Sequence, residues 1–270
     1  MPSLFAPNAF AGRTALVTGG GTGIGRATAL ELASLGARVA VAGRRGELLD
    51  ETVELARAAG AEVHAYPCDL READQVDAML DAVLAELGSV QILVNNAGGQ
   101  FVAPAEAISP GGFRAVGRLN LDAVFGLTVA VANRSMIPAG YGKVISVVIS
   151  PRRAMPGMAH SAAARAGVEN MTRTMAVEWG RFGIRLNCVA PGIVHTDAWE
   201  RYGLDPAQVA RVIPLQTLAT PEDVAHTIVF LASPAADYVT GDTVLVDGGL
   251  DNVGPGAAWA ADISAAAPPT

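Results

Sequence analysis

The stretch Thr18-Gly19-Gly20-Gly21-Thr22-Gly23-Ile24-Gly25 decides the fold. An apolar, β-branched run, Ala15–Thr18, leads into it, and an Ala-rich amphipathic stretch, Gly25–Leu35, follows at once. Glycine lacks a Cβ, so the chain can turn sharply here and bring its N–H groups close to a pyrophosphate. The helix N-terminus that follows supplies partial positive charge to the same anion. Gly19, Gly21, Thr22, Gly23, Ile24 and Gly25 are therefore candidate dinucleotide contacts. The competing reading is a glycine turn with no ligand, which the strand–turn–helix context disfavours. No starting glycine satisfies G-x-G-x-x-G, whereas T-G-x-x-x-G-x-G fits.

Outward from that loop, short β-branched runs alternate with long amphipathic ones. Strands are expected at Ala15–Thr18, Arg38–Ala42, Val63–Tyr66, Gln91–Asn95, Lys143–Ile149, Arg185–Ala190 and Thr243–Val246. Most lack polar alternation, as parallel strands covered on both faces do. Helices are expected at Gly25–Leu35, Glu47–Ala59, Arg71–Leu87, Pro110–Asn133 and His160–Phe182. This alternation predicts an α/β fold with one Rossmann-type, doubly wound parallel sheet of about seven strands and helices on both faces. There is no internal repeat or linker, so residues 1–250 read as one domain. Residues 251–270, rich in Ala, Gly and Pro, read as a C-terminal tail.

The 270 residues carry a net charge of −7 and a mean hydropathy of +0.33. The length suits one large α/β domain. The acidic balance argues against nucleic acid as a partner, because that partner needs a basic face. Cys68 and Cys188 are too few for a disulfide framework or a four-cysteine zinc site, so both read as reduced thiols and no metal is expected. The apolar run Ala123–Ala132 is about half the roughly 20 residues of a membrane span. No basic residue precedes Arg13, against a secretory signal, and Pro268-Pro269-Thr270 is no peroxisomal address. A cytoplasmic location is the resulting expectation. Of the 19 basic residues 18 are arginine, so chemistry that needs an ε-amine must use Lys143.

The end of the second strand bears on the cofactor. A carboxylate there binds a ribose 2′-OH and selects NAD. This chain instead reads Val41-Ala42-Gly43-Arg44-Arg45. Two guanidiniums can form bidentate bonds to a 2′-phosphate, and cations at a helix start are otherwise poorly placed. The expected cofactor is NADP(H), with Arg44 and Arg45 on the phosphate.

Further segments carry a resemblance. Asn95-Asn96-Ala97-Gly98 ends the fourth strand-like run and Asp69-Leu70 follows the third. Asn120 lies in the long helix that comes next. Pro191-Gly192-Ile193-Val194-His195-Thr196 follows the sixth run, and Val246-Asp247-Gly248-Gly249 ends the seventh. From Gly12 to Gly249 the chain resembles the short-chain dehydrogenase/reductase family. The resemblance implies adenine contacts at Asp69 and Leu70 and cofactor contacts at Asn96, Ala97 and Gly98. It also implies nicotinamide contacts at Pro191, Gly192, Ile193 and Thr196, and a catalytic role for Asn120. The family assembles through its two long helices, which implies a homotetramer here.

The family's active site also holds a Tyr and a Lys four residues apart. Here Ser161 takes the Tyr position and Arg165 the Lys position, within His160-Ser161-Ala162-Ala163-Ala164-Arg165. A serine hydroxyl is a poor proton donor beside a tyrosine with a pKa of about 10. Arg165 stays charged, so it can hold ribose hydroxyls but not shuttle a proton. Ketone reduction is thereby weakened. Hydride addition to a C=C bond conjugated to a thioester is less demanding, because hydrogen-bond donors can stabilise the enolate without immediate proton transfer.

With Asn95–Phe101, Pro104-Ala105-Glu106 and Arg185–Pro191, this segment is similar to the peroxisomal trans-2-enoyl-CoA reductases. The related 2,4-dienoyl-CoA reductases share the serine, but keep a lysine and place a tyrosine near where Ser150 stands. The resemblance implies an NADPH-dependent reductase of a small-molecule acyl thioester. Ser150 flanks the usual serine position, and His160 is a candidate acid near neutral pH. Gln100 and Phe101 follow the fourth strand's carboxyl end and are candidates for the acyl pocket. Trp199 and Tyr202 fall where the family has a substrate lid, and Arg152 and Arg153 are candidates for coenzyme A phosphates. Simple packing by the aromatics and solvated charge at the arginines are the competing roles. Two other functions stay open, a carbonyl reductase with an atypical site and a catalytically weak NADP-binding subunit.

Overall fold

Each of the seven apolar runs forms a strand. The structure is a computed structural model that describes residues 5–150, 154–196 and 205–253. The strands are β1 (Thr14–Thr18), β2 (Arg38–Gly43), β3 (Val63–Pro67), β4 (Ile92–Asn95), β5 (Gly142–Val147), β6 (Ile184–Pro191) and β7 (Thr243–Val246). All pair in parallel, in the order β3-β2-β1-β4-β5-β6-β7. The chain winds outward from β1 to β3 and then returns to β4 on the other side of β1. That reversal opens a crevice at the carboxyl ends of β1 and β4, where ligands of such sheets bind.

Alternate strand residues feed two cores. Ala15 and Val17 pack with α1 (Gly23–Ser34) and α2 (Gly46–Ala58). Leu16, on the opposite face, packs with α3 (Ala73–Leu87) and with two long helices, α4 (Pro110–Ala139) and α5 (Ala159–Trp179). A short α6 (Pro206–Ala210) and then α7 (Pro221–Ala232) precede β7, and α7 completes the first core through Val224, Ile228 and Val229. Each fully buried leucine, such as Leu16 or Leu80, contributes about 1.5–3 kcal/mol. The sole lysine is structural. Lys143 is 1% exposed at the amino end of β5 and pairs with Asp237 at 2.7 Å. Burial pulls its ammonium below the ordinary lysine range, and the pair holds Asp237 below the ordinary carboxylate range.

The α4 helix differs most from expectation. It continues past Asn133 to Ala139 and closes on Gly140 in the left-handed conformation, φ 61°. With thirty residues it is long and apolar enough to cross a membrane, which corrects the sequence estimate of half a span. Here its apolar stripe of Leu127, Val131 and Met136 lies in the core. Two π turns interrupt it, Arg118–Asp122 and Ala132–Met136. Such turns reset the phase of a helix and often mark functional positions.

Each π turn grips the backbone of one residue beside β4. Ser135 Oγ accepts from Val90 N at 2.6 Å and donates to Val90 O at 2.9 Å. Asn120 Oδ1 accepts from Gly99 N at 2.9 Å, and its Nδ2 donates to Gly99 O at 3.0 Å. The strand is thus held at its entrance and its exit by one helix. Ser135→Ala strands the N–H and C=O of Val90 in the core and is expected to cost about 1–3 kcal/mol in urea unfolding.

Candidate active site

The carboxyl ends of β1 and β4 are tied by a threonine and an asparagine. Thr18 Oγ1 donates to Val94 O and accepts from Asn96 N and Ala97 N, all within 3.2 Å. Asn96 Nδ2 returns a bond to Thr18 O at 2.9 Å. The glycine loop is pressed onto this knot. A Cβ on Gly25 would lie 2.2 Å from Gly19 O and 2.5 Å from Asn96 Nδ2, so only glycine lets α1 start this close. Thr22, the N-cap of α1, makes no side-chain capping bond, which leaves the first-turn N–H groups to an anion.

A cleft of about 300 Å³ opens over the loop. It gathers Gly19, Gly21, Thr22, Gly23, Ile24, Arg44, Arg45, Asp69, Leu70, Asn96, Ala97, Gly98 and Thr196, all expected from the sequence. Arg44 and Arg45 are exposed at the mouth. Asp69 is gripped by the Arg71 guanidinium, with Nε–Oδ1 at 2.9 Å and Nη2–Oδ2 at 2.5 Å. That bond holds its carboxyl at about 2. Gly43, Leu48, Leu49, Cys68 and Leu119 also line the cleft and were missed. Gly43 and Cys68 sit at the carboxyl edge of β2 and β3, a signal that was available. Leu119 lies inside the first π turn, which periodicity does not register.

The turn after β4 organises the rest. Each of its four residues, Gly98 to Phe101, meets one residue of α4 or α5. Gly98 faces Arg165 so closely that a Cβ there would sit 2.3 Å from Nη2. Gly99 is gripped by Asn120 through both backbone bonds. Gln100 Oε1 accepts from the hydroxyl of Ser161 at 2.8 Å. Phe101 meets the His160 ring edge to face, with centroids 4.2 Å apart. The glycine at 98 is thus a requirement of close approach, and the order of pairing brings four of the five expected catalytic residues, Arg165, Asn120, Ser161 and His160, into one row.

Arg165 is the electrostatic centre of that row. One nitrogen donates to Val147 O, while Nε is buried without a partner among the described residues. No carboxylate pairs with it among those residues. Burial pulls its pKa down to about 10, so it remains a cation at neutral pH.

Other expected residues stand apart. The Ser150 hydroxyl is bonded to Asp251, after β7. Pro191, Gly192 and Ile193 do not line the cleft; they carry the backbone that positions Thr196. Gly192 N donates to Val246 O, and Ala219 is held between Ile193 and His195. Thr196 then reaches over Gly23, whose added Cβ would lie 3.4 Å from its Cγ2. Arg152, Arg153, Trp199 and Tyr202 lie outside the described residues.

Comparison with known proteins agrees with this geometry. Residues 19–251 match the family model described as enoyl-(acyl carrier protein) reductase. A probable 2,4-dienoyl-CoA reductase of Bacillus subtilis is 36% identical, over 88% of this chain and 96% of that protein. The solved citronellol catabolism dehydrogenase of Pseudomonas aeruginosa superposes with a TM-score of 0.84 at 42% identity, over 93% of this chain and all of that one. A gluconate 5-dehydrogenase of Burkholderia cenocepacia, solved with NADP and tartrate, has a TM-score of 0.85 at 35% identity, covering 91% of this chain and 97% of its own. With its seven-stranded parallel sheet and this match across the whole fold, the chain belongs to the short-chain dehydrogenase/reductase family of oxidoreductases.

Proposed function

We propose that the protein is an NADPH-dependent reductase of the C=C bond of an α,β-unsaturated acyl thioester, of the trans-2-enoyl-CoA type. The observation that supports this reading is the row along Gly98–Phe101, where Ser161 bonds Gln100 and Arg165 lies against Gly98; the family resemblance gives these two the positions of its phenol and amine. Tyr66 is bonded to Glu86, Tyr141 lies under Arg13, and Tyr238 is fully exposed, so none of these three supplies the phenol. Similarity to the Bacillus dienoyl-CoA reductase supports the substrate class.

The cleft suits a 2′-phosphorylated dinucleotide. The open first turn of α1 would hold the pyrophosphate, and Arg44 and Arg45 the 2′-phosphate. Asp69 and Leu70 would flank the adenine, and Thr196 the nicotinamide end. The unpartnered Nε of Arg165 would meet ribose hydroxyls. The bound cofactor supplies a hydride. Everything else falls to the chain's own residues. Asn120 fixes the turn that carries Gln100. Ser161 holds Gln100 by its carbonyl oxygen, which leaves the amide N–H groups of Gln100 for a substrate oxygen. Such donors, fixed in advance, stabilise a developing enolate. The same reading includes a cytoplasmic homotetramer, with Phe113 and Phe125 of α4 and Val177 of α5 as exposed apolar contacts.

NADPH oxidation with trans-2-enoyl-CoA substrates of graded chain length should give the saturated acyl-CoA. Turnover confined to ketones would favour the carbonyl-reductase alternative, and tight NADPH binding with no acceptor would favour the binding-subunit alternative. Arg44→Asp should lower the NADPH/NADH ratio of kcat/KM by about 10- to 100-fold, since one charge-assisted bond is lost and a repulsion gained. Gly98→Ala drives a methyl into the Arg165 guanidinium. It should lower kcat/KM by about 100-fold with the melting temperature retained, because the displaced atoms end a flexible side chain.

A further inference from the structure

The first turn of α5 holds a buried donor with no acceptor among the described residues. His160 is 1% exposed. The backbone N–H of Ser161 points at its Nδ1 from 2.8 Å. An amide N–H can only donate, so Nδ1 carries the lone pair and the ring proton sits on Nε2. Nε2 is buried and meets no acceptor among the described residues. An unpaired buried donor is costly, and folded proteins keep few of them.

An aromatic ring covers this imidazole. Phe101 packs against it at 83° and is itself 41% exposed, so it stands between His160 and solvent. Behind Phe101 is Gly112, where an added Cβ would come within 3.0 Å of the ring. On either side of the same contact, Ser161 holds Gln100, whose amide N–H groups are those assigned above to a substrate oxygen.

The geometry also removes one role. To deliver a proton and end neutral, the ring would begin with N–H on both nitrogens. The second N–H would then face that of Ser161 across 2.8 Å. His160 is arranged to donate a hydrogen bond and keep its proton.

We propose that His160 is an electrophilic donor, whose neutral Nε2–H meets the thioester carbonyl oxygen when the acyl substrate displaces the Phe101 ring. This rests on the enoyl-thioester reading above. Hydride forms the new bond at Cβ. The C=C pair moves between Cα and the carbonyl carbon, and the carbonyl π pair moves onto oxygen, giving the enolate. Nε2–H stabilises that oxygen without leaving the ring. The enolate then collapses, and Cα takes its proton from water.

The protein with ¹⁵N-labelled imidazoles tests this directly. It has four histidines, and His160 is assigned by its loss in His160→Phe. The free protein should show His160 protonated on Nε2. Adding NADP⁺ and trans-2-hexenoyl-CoA, a pair that cannot react, should move that proton downfield. With NADPH and the same thioester, His160→Phe should lower kcat by about 10²- to 10³-fold, as loss of one oxyanion donor does, with the KM for NADPH unchanged. If that variant fails to fold, His160 is assigned by elimination, through loss of the other three resonances in His64→Gln, His195→Gln and His226→Gln, and its resonance in the otherwise unaltered protein decides. A proton on Nδ1, or an unmoved resonance while hexenoyl-CoA binds and is reduced, overturns the role of His160 alone. Wild-type protein that neither binds nor reduces the thioester overturns the enoyl-thioester reading, and this proposal with it.

Discussion

The structure depends on β4 being held at both ends by one helix. Asn120 takes both backbone bonds of Gly99, and Ser135 takes both of Val90. Val90 lies in the core and Gly99 is partly buried, and a backbone group left unsatisfied there is costly. The exit of β4 also carries Asn96 and Ala97, whose N–H groups converge on Thr18. Fixing β4 therefore fixes the glycine loop on one side and the Gly98–Phe101 turn on the other. The cleft and the row of paired residues take their mutual position from one short strand.

Arg165 shows what burying a guanidinium entails. A planar, weakly hydrated cation can be buried where an ammonium would lose its proton. Val147 O satisfies one nitrogen, and Gly98 leaves room for another. Nε is buried and meets no partner among the described residues. A buried cation with one unmet donor favours a polar or anionic ligand, and so the folded site carries part of the recognition free energy before any ligand arrives.

Fold and cofactor loop were legible because they rest on local rules. Glycine spacing, strand runs without alternation and two arginines in place of a carboxylate are each read from a few adjacent residues. The cleft accordingly contains thirteen of the expected cofactor residues, Gly19 and Thr196 among them. The pairing of Gly98 with Arg165, or of Phe101 with His160, spans some sixty residues of sequence and could not be read. Leu119 and the extension of α4 escaped for a different reason. A π turn adds a residue without adding a sequence signal, so every phase argument beyond it is offset. Counting back from Ser161 makes Ser150 a candidate, whereas its hydroxyl donates to Asp251, a hundred residues away.

Asn120 and Ser135 lie 15 residues apart on a helix that runs beside a four-residue strand. That interval acts as a ruler. Each residue of helix adds about 1.5 Å and turns the face by about 100°. A single insertion or deletion between the two π turns would leave one grip engaged and swing the other off its target. Length is therefore constrained over this stretch even where composition is free. The Ala- and Val-rich residues between the turns can exchange for one another, but their number cannot change without releasing an end of β4.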